Sequence, residues 1–305
     1  MSSEIILKKI ISADHIYGIK YYNNSLFLSN ILDEYITKVE VYDNYKKEKL
    51  FDIKKGWKKF QFFKKNENNF KGIHSIQPLN NNLFFSISYL QKKLILFDLK
   101  NKKILNFPKI NNYLKGPSHI DYIKKKSLLL ISDYDGGEVY LFNYKKKYIQ
   151  KISEISKVKF KKPHMTVFKK NNYYILDTKK RNIIILDDNF NKTKNLSKNN
   201  IKFNNFEKYK KNFLDIPVSI KVDVYKNIYI SDVGKNNCIY VINKELSLIG
   251  IIKNKKIKFN KYSFYEKNLN LNKVYDLDIN KDEIFIASTH SNKIFHLKNV
   301  FIEND

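Results

Sequence analysis

Three histidines recur along the chain at one spacing. They are His74 in "GIHSI", His119 in "GPSHI" and His164 in "KKPHM", and the differences 164 − 119 and 119 − 74 both equal 45. Three imidazoles around one point form a zinc-type ligand set that leaves a fourth position for an activated water. The spacing is consistent with a metal site, with a polar ligand site, or with a structural unit that was copied together with its histidine.

Two aspartates could complete such a site. Asp133 and Asp177 end the β-rich runs "LLLISD" and "YYILD", and carboxylates orient metal-bound imidazoles by accepting their second N–H. They are therefore candidate catalytic bases or supporting residues. Asp232 ends the equivalent run "IYISD", which no histidine precedes, so capping of a turn is the alternative role.

The elements that must position these residues come from an internal repeat. Six segments share one plan, an alternating run, a polar turn and a second β-rich run: "IYGIKYYNNSLFLSN", "IHSIQPLNNNLFFSIS", "SHIDYIKKKSLLLISD", "PHMTVFKKNNYYILD", "VSIKVDVYKNIYISD" and "VYDLDINKDEIFIAS". A further β-rich run such as "KLILFD" or "CIYVIN" follows each of them. A unit of about 45 residues with four short strands is typical of a propeller blade.

The repeat predicts an all-β protein, a six-bladed β-propeller of four-stranded blades in a single domain, 1–305. The predicted blades cover approximately 13–53, 72–107, 117–152, 163–196, 217–252 and 273–298. The N-terminal β-run, 4–11, is predicted to complete the last blade. That pairing would close the ring and remove an exposed sheet edge.

The segment from Pro217 to Gly250, "PVSIKVDVYKNIYISDVGKNNCIYVINKELSLIG", resembles an NHL repeat in its proline-led inner strand, its "IYISD" strand and its turn. "GPSHIDYIKKKSLLLISDYDGGEVYLFN" is a looser copy. The resemblance implies a fold whose members include protein-binding, nucleic-acid-binding and enzymatic proteins. Among NHL-like propellers, the lyases that cleave peptidyl-hydroxyglycine hold zinc with histidines from non-adjacent blades, whereas His74, His119 and His164 come from adjacent blades.

In such a propeller the innermost strand of each blade starts at one face, the top face, and the second strand returns to it. The three histidines are therefore expected at the mouth of the central channel, with Asp133 and Asp177 behind them. His15 precedes the first inner strand and is expected to reach the same mouth. His290 is expected on the top face as well, and His296 in a third strand.

Three long connections combine lysines with aromatic residues: 54–72, 196–216 and 254–273. Blade geometry predicts that they lie on the top face, where such residues can stack on a ring and attract an anion. Trp57, in the first connection, is either a loop anchor or a stacking platform. Trp57, Lys162 and His15 are therefore the candidate ligand-binding residues.

The formal net charge of +28 comes almost entirely from lysine, since arginine occurs once among 58 basic residues. Lysine, Asn, Ile, Tyr and Phe are all encoded by A/T-rich codons, so composition alone explains the charge. Arginine is the preferred residue for bidentate phosphate contacts, and because this chain has only one, a nucleic-acid partner is the third choice.

Cys238 lies in an apolar run and is expected to be a buried thiol. Neither a signal peptide nor a membrane span is expected, and a cytoplasmic location is the default.

These observations favour a soluble binding or scaffold module that recognises a protein partner, or an anionic or carbohydrate-like small ligand, at the top face. The alternative is a metal-dependent lyase or hydrolase with a divalent metal such as zinc. In that hypothesis His74, His119 and His164 are the ligands, and Asp133 or Asp177 supports them or acts as the base.

Overall fold

The computed structural model describes residues 7–13, 15–30, 35–52, 73–98, 100–101 and 103–301. Their strands form six antiparallel sheets. Runs of Ile, Leu, Val, Tyr and Phe make the strands, and most turns contain Asn or Lys in the left-handed region, for example Asn24 and Asn171, both with φ 60°. Asparagine tolerates that conformation because its side chain bonds locally to the backbone.

The strands follow one another along the chain and are numbered in that order. The N-terminal strand is β1 (Leu7–Ser12). Blade one has β2 (Ile16–Tyr22), β3 (Ser25–Asn30), β4 (Tyr35–Glu40) and β5 (Lys46–Asp52). Blade two has β6 (Ile73–Pro78), β7 (Leu83–Ser88), β8 (Lys93–Asp98) and β9 (Lys103–Asn106). Blade three has β10 (Pro117–Ile123), β11 (Leu128–Asp133), β12 (Glu138–Asn143) and β13 (Tyr148–Lys151). Blade four has β14 (Pro163–Lys169), β15 (Asn172–Asp177), β16 (Asn182–Asp187) and β17 (Lys192–Leu196).

Blade five is larger than the others. It has β18 (Pro217–Val222), β19 (Ile228–Asp232), β20 (Cys238–Ile242), β21 (Leu248–Lys253), β22 (Lys256–Phe259) and β23 (Tyr262–Tyr265) in one sheet. Blade six has β24 (Val274–Asn280), β25 (Glu283–Ser288) and β26 (Lys293–Lys298). The short helices are α1 (Pro108–Asn111), α2 (Ile152–Ser156) and the 3-10 helices Lys124–Lys126, Asn204–Asn212 and Thr289–Ser291.

The six inner strands contact one another in ring order, β2, β6, β10, β14, β18, β24 and again β2. The predicted six-bladed propeller is therefore confirmed. The predicted ring closure is also confirmed, because β1 pairs antiparallel with β26 from Leu7 opposite Leu297 to Ser12 opposite Lys293.

A buried carboxylate reinforces this closure. Glu283 of blade six accepts hydrogen bonds from Lys8 of β1 at 2.7 Å and from Tyr42 of blade one at 2.7 Å. Its Oε1 also lies 3.0 Å from His296 Nε2. One side chain thus joins the N-terminal strand, the first blade and the last blade.

The hydrophobic core is divided among the spaces between blades. Tyr174 and Ile183 of blade four pack in one cluster with Ile220 and Ile230 of blade five. Across the closure, Leu28 and other residues of blade one share a cluster with residues of blade six such as Phe285 and Ile294. Each blade therefore buries both faces of its sheet only because it has two neighbours.

Two of the long connections, which the sequence predicted as top-face loops, pack largely against blades. In 196–216, Ile201, Phe206 and Phe213 are buried in the cluster between blades four and five. In 254–273, β22 and β23 form a hairpin that extends the sheet of blade five. The apolar side chains of these segments explain the difference, since they gain more by filling the space beside a blade than by facing water.

Candidate functional site at the channel mouth

The inner strands share an irregularity that decides where the histidines lie. In every inner strand the pairing register shifts after the first residue, as between Ile73 and Ser75 or between Pro163 and Met165. The residues skipped by the pairing occupy one equivalent position around the mouth: Tyr17, His74, Ser118, His164, Val218 and Tyr275. Such β-bulges redirect a side chain without ending the strand.

The equal spacing of the three histidines therefore does not correspond to equivalent positions. His74 and His164 are equivalent, and Ser118 is their counterpart in blade three, at intervals of 118 − 74 = 44 and 164 − 118 = 46. His119 lies one residue further along its strand, at the position of Ser75 and Met165. The regular interval of 45 results from adding a one-residue offset to blades of unequal length.

His119 is buried inside the channel, 4% exposed. Burial lowers the pKa of its imidazole well below the ordinary value, and the Lys221 ammonium of blade five lowers it further. The ring is therefore neutral at physiological pH. Its Nδ1 atom is buried and has no hydrogen-bond partner among the described residues, so it can interact with a group that enters the channel.

His164 is neutral as well. Burial, together with repulsion from His74, lowers the pKa of His164 to about 4. Its Nδ1 is also buried, and no residue that the structure describes makes a hydrogen bond to it. Tyr134 packs edge-on against its ring at a centroid distance of 5.4 Å. Thus two neutral imidazoles each direct an unpartnered nitrogen into the interior of the molecule.

Aromatic rings also lie at the mouth. Tyr17 stacks on Tyr275 at 4.7 Å and meets the His74 ring edge-on at 4.3 Å. His74 in turn lies 4.9 Å from the ring of Tyr89. On the other side of blade six, His290 lies 6.2 Å from Tyr275. These five residues form what we call the aromatic rim.

The rim has free polar groups. Within the described part of the chain, the rim hydroxyls of Tyr17 and Tyr275 make no hydrogen bond, and neither does that of Tyr134 beside His164. Burial and the nearby Tyr275 hydroxyl and Asp276 carboxylate raise the pKa of Tyr17 above its ordinary value, so this hydroxyl keeps its proton. The rim therefore combines flat apolar faces with hydroxyl groups that can both donate and accept.

Lys162 and His15, both predicted as ligand contacts, border the same mouth. The Lys162 ammonium lies 4.3 Å from the centre of the Tyr134 ring and 3.3 Å from Asp135 Oδ1. Asp135 also accepts a hydrogen bond from Tyr89, which raises the pKa of that hydroxyl to about 12. His15 lines a rim cavity of about 520 Å³ together with residues that include Tyr17, Tyr275 and His290.

Asp133 and Asp177 hold backbone at the top of their blades. Asp177 accepts hydrogen bonds from the N–H groups of Lys161 at 2.7 Å, Lys162 at 3.1 Å and Lys180 at 3.1 Å. Asp133 accepts from Lys115 at 3.0 Å and Gly116 at 2.6 Å. Both carboxylates are fully buried, and their oxygens are occupied by donors that fix the start of the inner strand. We call this arrangement the aspartate clamp, and Asp232 repeats it in blade five.

Deeper in the channel lies a charged cluster that the sequence interpretation missed. Lys20 Nζ is 3.3 Å from Asp121 Oδ1 of blade three, and Lys221 Nζ is 3.7 Å from Asp276 and 4.0 Å from Asp278 of blade six. Burial alone would lower the pKa of Lys20, but Asp121 and Asp278 raise it above its ordinary value. The available signal was a charged residue in the middle of apolar inner-strand runs, as in "SIKV" and "DLDI".

The metal hypothesis gains no ligand set from these positions. Across the described ranges, no group of three or more His, Cys, Asp or Glu side chains is arranged to hold a metal ion. Zinc binding by His74, His119 and His164 stays a prediction. Trp57 lies outside the described residues, and so does the whole of 54–72.

Comparison with known proteins supports the fold and nothing finer. No protein family and no curated protein matches the chain. Solved structures do: virginiamycin B lyase from Staphylococcus aureus has 9% identity and a TM-score of 0.59, over 95% of this chain and 98% of that chain. A nidogen/laminin complex has 10% identity and a TM-score of 0.59, over 85% and 82%. The WD40 β-propeller domain of Doa1 has 10% identity and a TM-score of 0.55, over 97% of each chain.

The chain is thus a six-bladed β-propeller. Its resemblance to NHL repeats is not confirmed by a family match. None of the helices in the described part of the chain has the length and apolar character that a transmembrane segment requires.

Proposed function

We propose that this protein is a binding module that takes up a small ring-bearing polar ligand at the channel mouth, with carbohydrates as the favoured class. The observation that carries the proposal is a pair of buried imidazole Nδ1 atoms that have no hydrogen-bond partner among the described residues. They belong to His164, at the position equivalent to the rim residues Tyr17, His74 and Tyr275, and to His119, one residue further along its strand. A neutral imidazole has one N–H donor and one acceptor nitrogen, so hydroxyl groups, which both donate and accept, suit these Nδ1 atoms.

The rim supports the same ligand class. The apolar faces of a sugar ring pack on tyrosine rings, while the sugar hydroxyls find partners in the free tyrosine hydroxyls. Lys162 adds a cation at the edge of the mouth, which would favour an acidic sugar over a neutral one. A buried acceptor that stays unpaired costs about 1–3 kcal/mol, and a bound hydroxyl would remove that cost.

The test is binding of mono- and disaccharides, including uronic acids, measured by saturation-transfer NMR and then by calorimetry. Tyr17→Ala is expected to weaken binding roughly tenfold, since loss of one stacking ring costs about 1.5 kcal/mol. Tyr148→Ala is the matched control, because Tyr148 is 53% exposed on the outer strand of blade three. Equal binding by the two variants, or no binding of any sugar by the wild type, would refute the proposal.

A further inference from the structure

The hairpin of β22 and β23 presents two different faces. Ile257, Phe259 and Phe264 pack in the cluster between blades five and six. Because side chains alternate along a strand, Lys256, Lys258 and Tyr265 lie on the opposite face. The hairpin is therefore anchored by its apolar side, and its other side remains available to a partner.

Four ammonium groups gather on this second face. Lys256 pairs directly opposite Lys253 of β21, and Lys258 lies two residues beyond Lys256. Lys208, from the 3-10 helix Asn204–Asn212, joins them, since the ammonium groups of Lys208 and Lys253 lie 5.2 Å and 6.0 Å from the ring of Tyr209. We call Lys208, Lys253, Lys256, Lys258 and Tyr265 the basic face.

The charges of these lysines are not compensated by ion pairs within the described ranges. Among the residues that the structure describes, none of the four lysines takes part in an ion pair. Burial, followed by repulsion from Lys208, Lys256 and Lys253, lowers the pKa of Lys258. Like charges directly opposite each other destabilise a sheet, so an anion bound here would relieve a repulsion that the folded chain leaves uncompensated.

An exposed aromatic ring stands within this charged surface. Tyr265 is 73% exposed and lies directly opposite Lys256 on the neighbouring strand. Lysine ammonium groups attract phosphates as point charges without reading sequence, and an exposed ring stacks on an unpaired base. An acidic peptide or a lipid headgroup would use the charges but would leave the ring without a role.

We propose that the basic face binds single-stranded nucleic acid through its phosphodiester backbone, with Tyr265 stacking on a base. This inference is independent of the carbohydrate proposal, because the face lies on the outer edge of blade five and shares no residue with the channel mouth. The high lysine content of the whole chain explains the total charge. The distinctive feature of the basic face is that four lysines without ion pairs to described residues and one exposed ring lie together on it.

The experiment measures fluorescence anisotropy of a labelled oligothymidylate of about 20 nucleotides across a salt series of about 50 to 200 mM. For the Lys256→Gln/Lys258→Gln double variant we expect roughly tenfold weaker binding and a salt slope lower by about 1.4, since each single-strand phosphate contact contributes about 0.7. Tyr265→Ala should weaken binding about fivefold with the slope unchanged, because stacking does not depend on salt.

The control is Lys145→Gln/Lys146→Gln, two exposed lysines in the turn after β12. An equal loss in this control would show that net charge alone binds the strand and would overturn the proposal. The proposal is also overturned if the wild type does not bind the oligonucleotide. Tighter binding to phosphatidylserine vesicles, abolished by Lys256→Gln/Lys258→Gln, would assign the face to a membrane surface instead and would likewise overturn it.

Discussion

At the scale of single residues, the histidines illustrate what a sequence can and cannot predict. The repeat correctly placed His74, His119 and His164 near the starts of inner strands, because hydrophobic alternation and turn residues mark those starts. It could not reveal that a bulge follows the first residue of each inner strand. Because the sequence does not show the bulge, the spacing of 45 made His119 look equivalent to His74 and His164. A shift of one residue along the strand moves a side chain from the rim position into the channel.

The lowered pKa of His164 predicts a dependence of stability on pH. Its pKa falls from the ordinary 6.5 to about 4 on folding, so below pH 6.5 the unfolded chain binds a proton that the folded chain does not. Stability is therefore lost as the pH falls, by roughly 2–3 kcal/mol at this site between pH 6.5 and pH 4.5.

Urea denaturation of the wild type and of His164→Gln at several pH values tests this expectation. Glutamine does not titrate, so the stability difference between the two proteins should move against the wild type as the pH falls. Parallel pH profiles of the two proteins would contradict the assignment of a buried neutral imidazole.

At the scale of elements, the blades were predicted better than their connections. Period-two alternation and Asn-rich turns identified the strands, because each strand signal is local. The packing of 196–216 between blades four and five, and of the hairpin on blade five, is decided by the spaces that the neighbouring blades leave. No local pattern in 196–216 or 254–273 contains that information.

The aspartate clamp is an element-scale device, and it predicts a loss of stability. Asp177→Ala removes the acceptor for three N–H groups, of Lys161, Lys162 and Lys180. Leaving such donors unsatisfied should destabilise the fold by about 3 kcal/mol. Thermal or urea denaturation monitored by circular dichroism measures this, with Asp43→Ala as the control, because Asp43 is exposed in a turn of blade one. A transition unchanged from the wild type would show that the clamp carries no stability.

At the scale of the whole molecule, β1 closes the ring. This role was predicted from the sequence, because the N-terminal β-run belonged to no blade of its own and the last blade lacked a fourth strand. Ile11 is buried, 4% exposed, in the cluster between blades one and six. Ile11→Asp should therefore destabilise the protein by about 4 kcal/mol or more, since it places an unpaired charge in that core.

Ser12→Asp is the matched control, because Ser12 is exposed on the same strand. Size-exclusion chromatography of Ile11→Asp should also show self-association, since an unpaired β26 offers an open edge to a second chain. Equal denaturation midpoints for Ile11→Asp and Ser12→Asp would mean that closure does not stabilise the fold.

The pairing of Leu7 with Leu297 also sets an order of events at the ribosome. Strand β1 has to wait until β26, about 290 residues later, has been synthesised, which at elongation rates of about 5–20 residues per second means roughly 15–60 seconds. During that time the nascent chain has a half-built ring with two open ends. The emergence of β26, rather than the formation of any earlier blade, is then the step at which the ring can close.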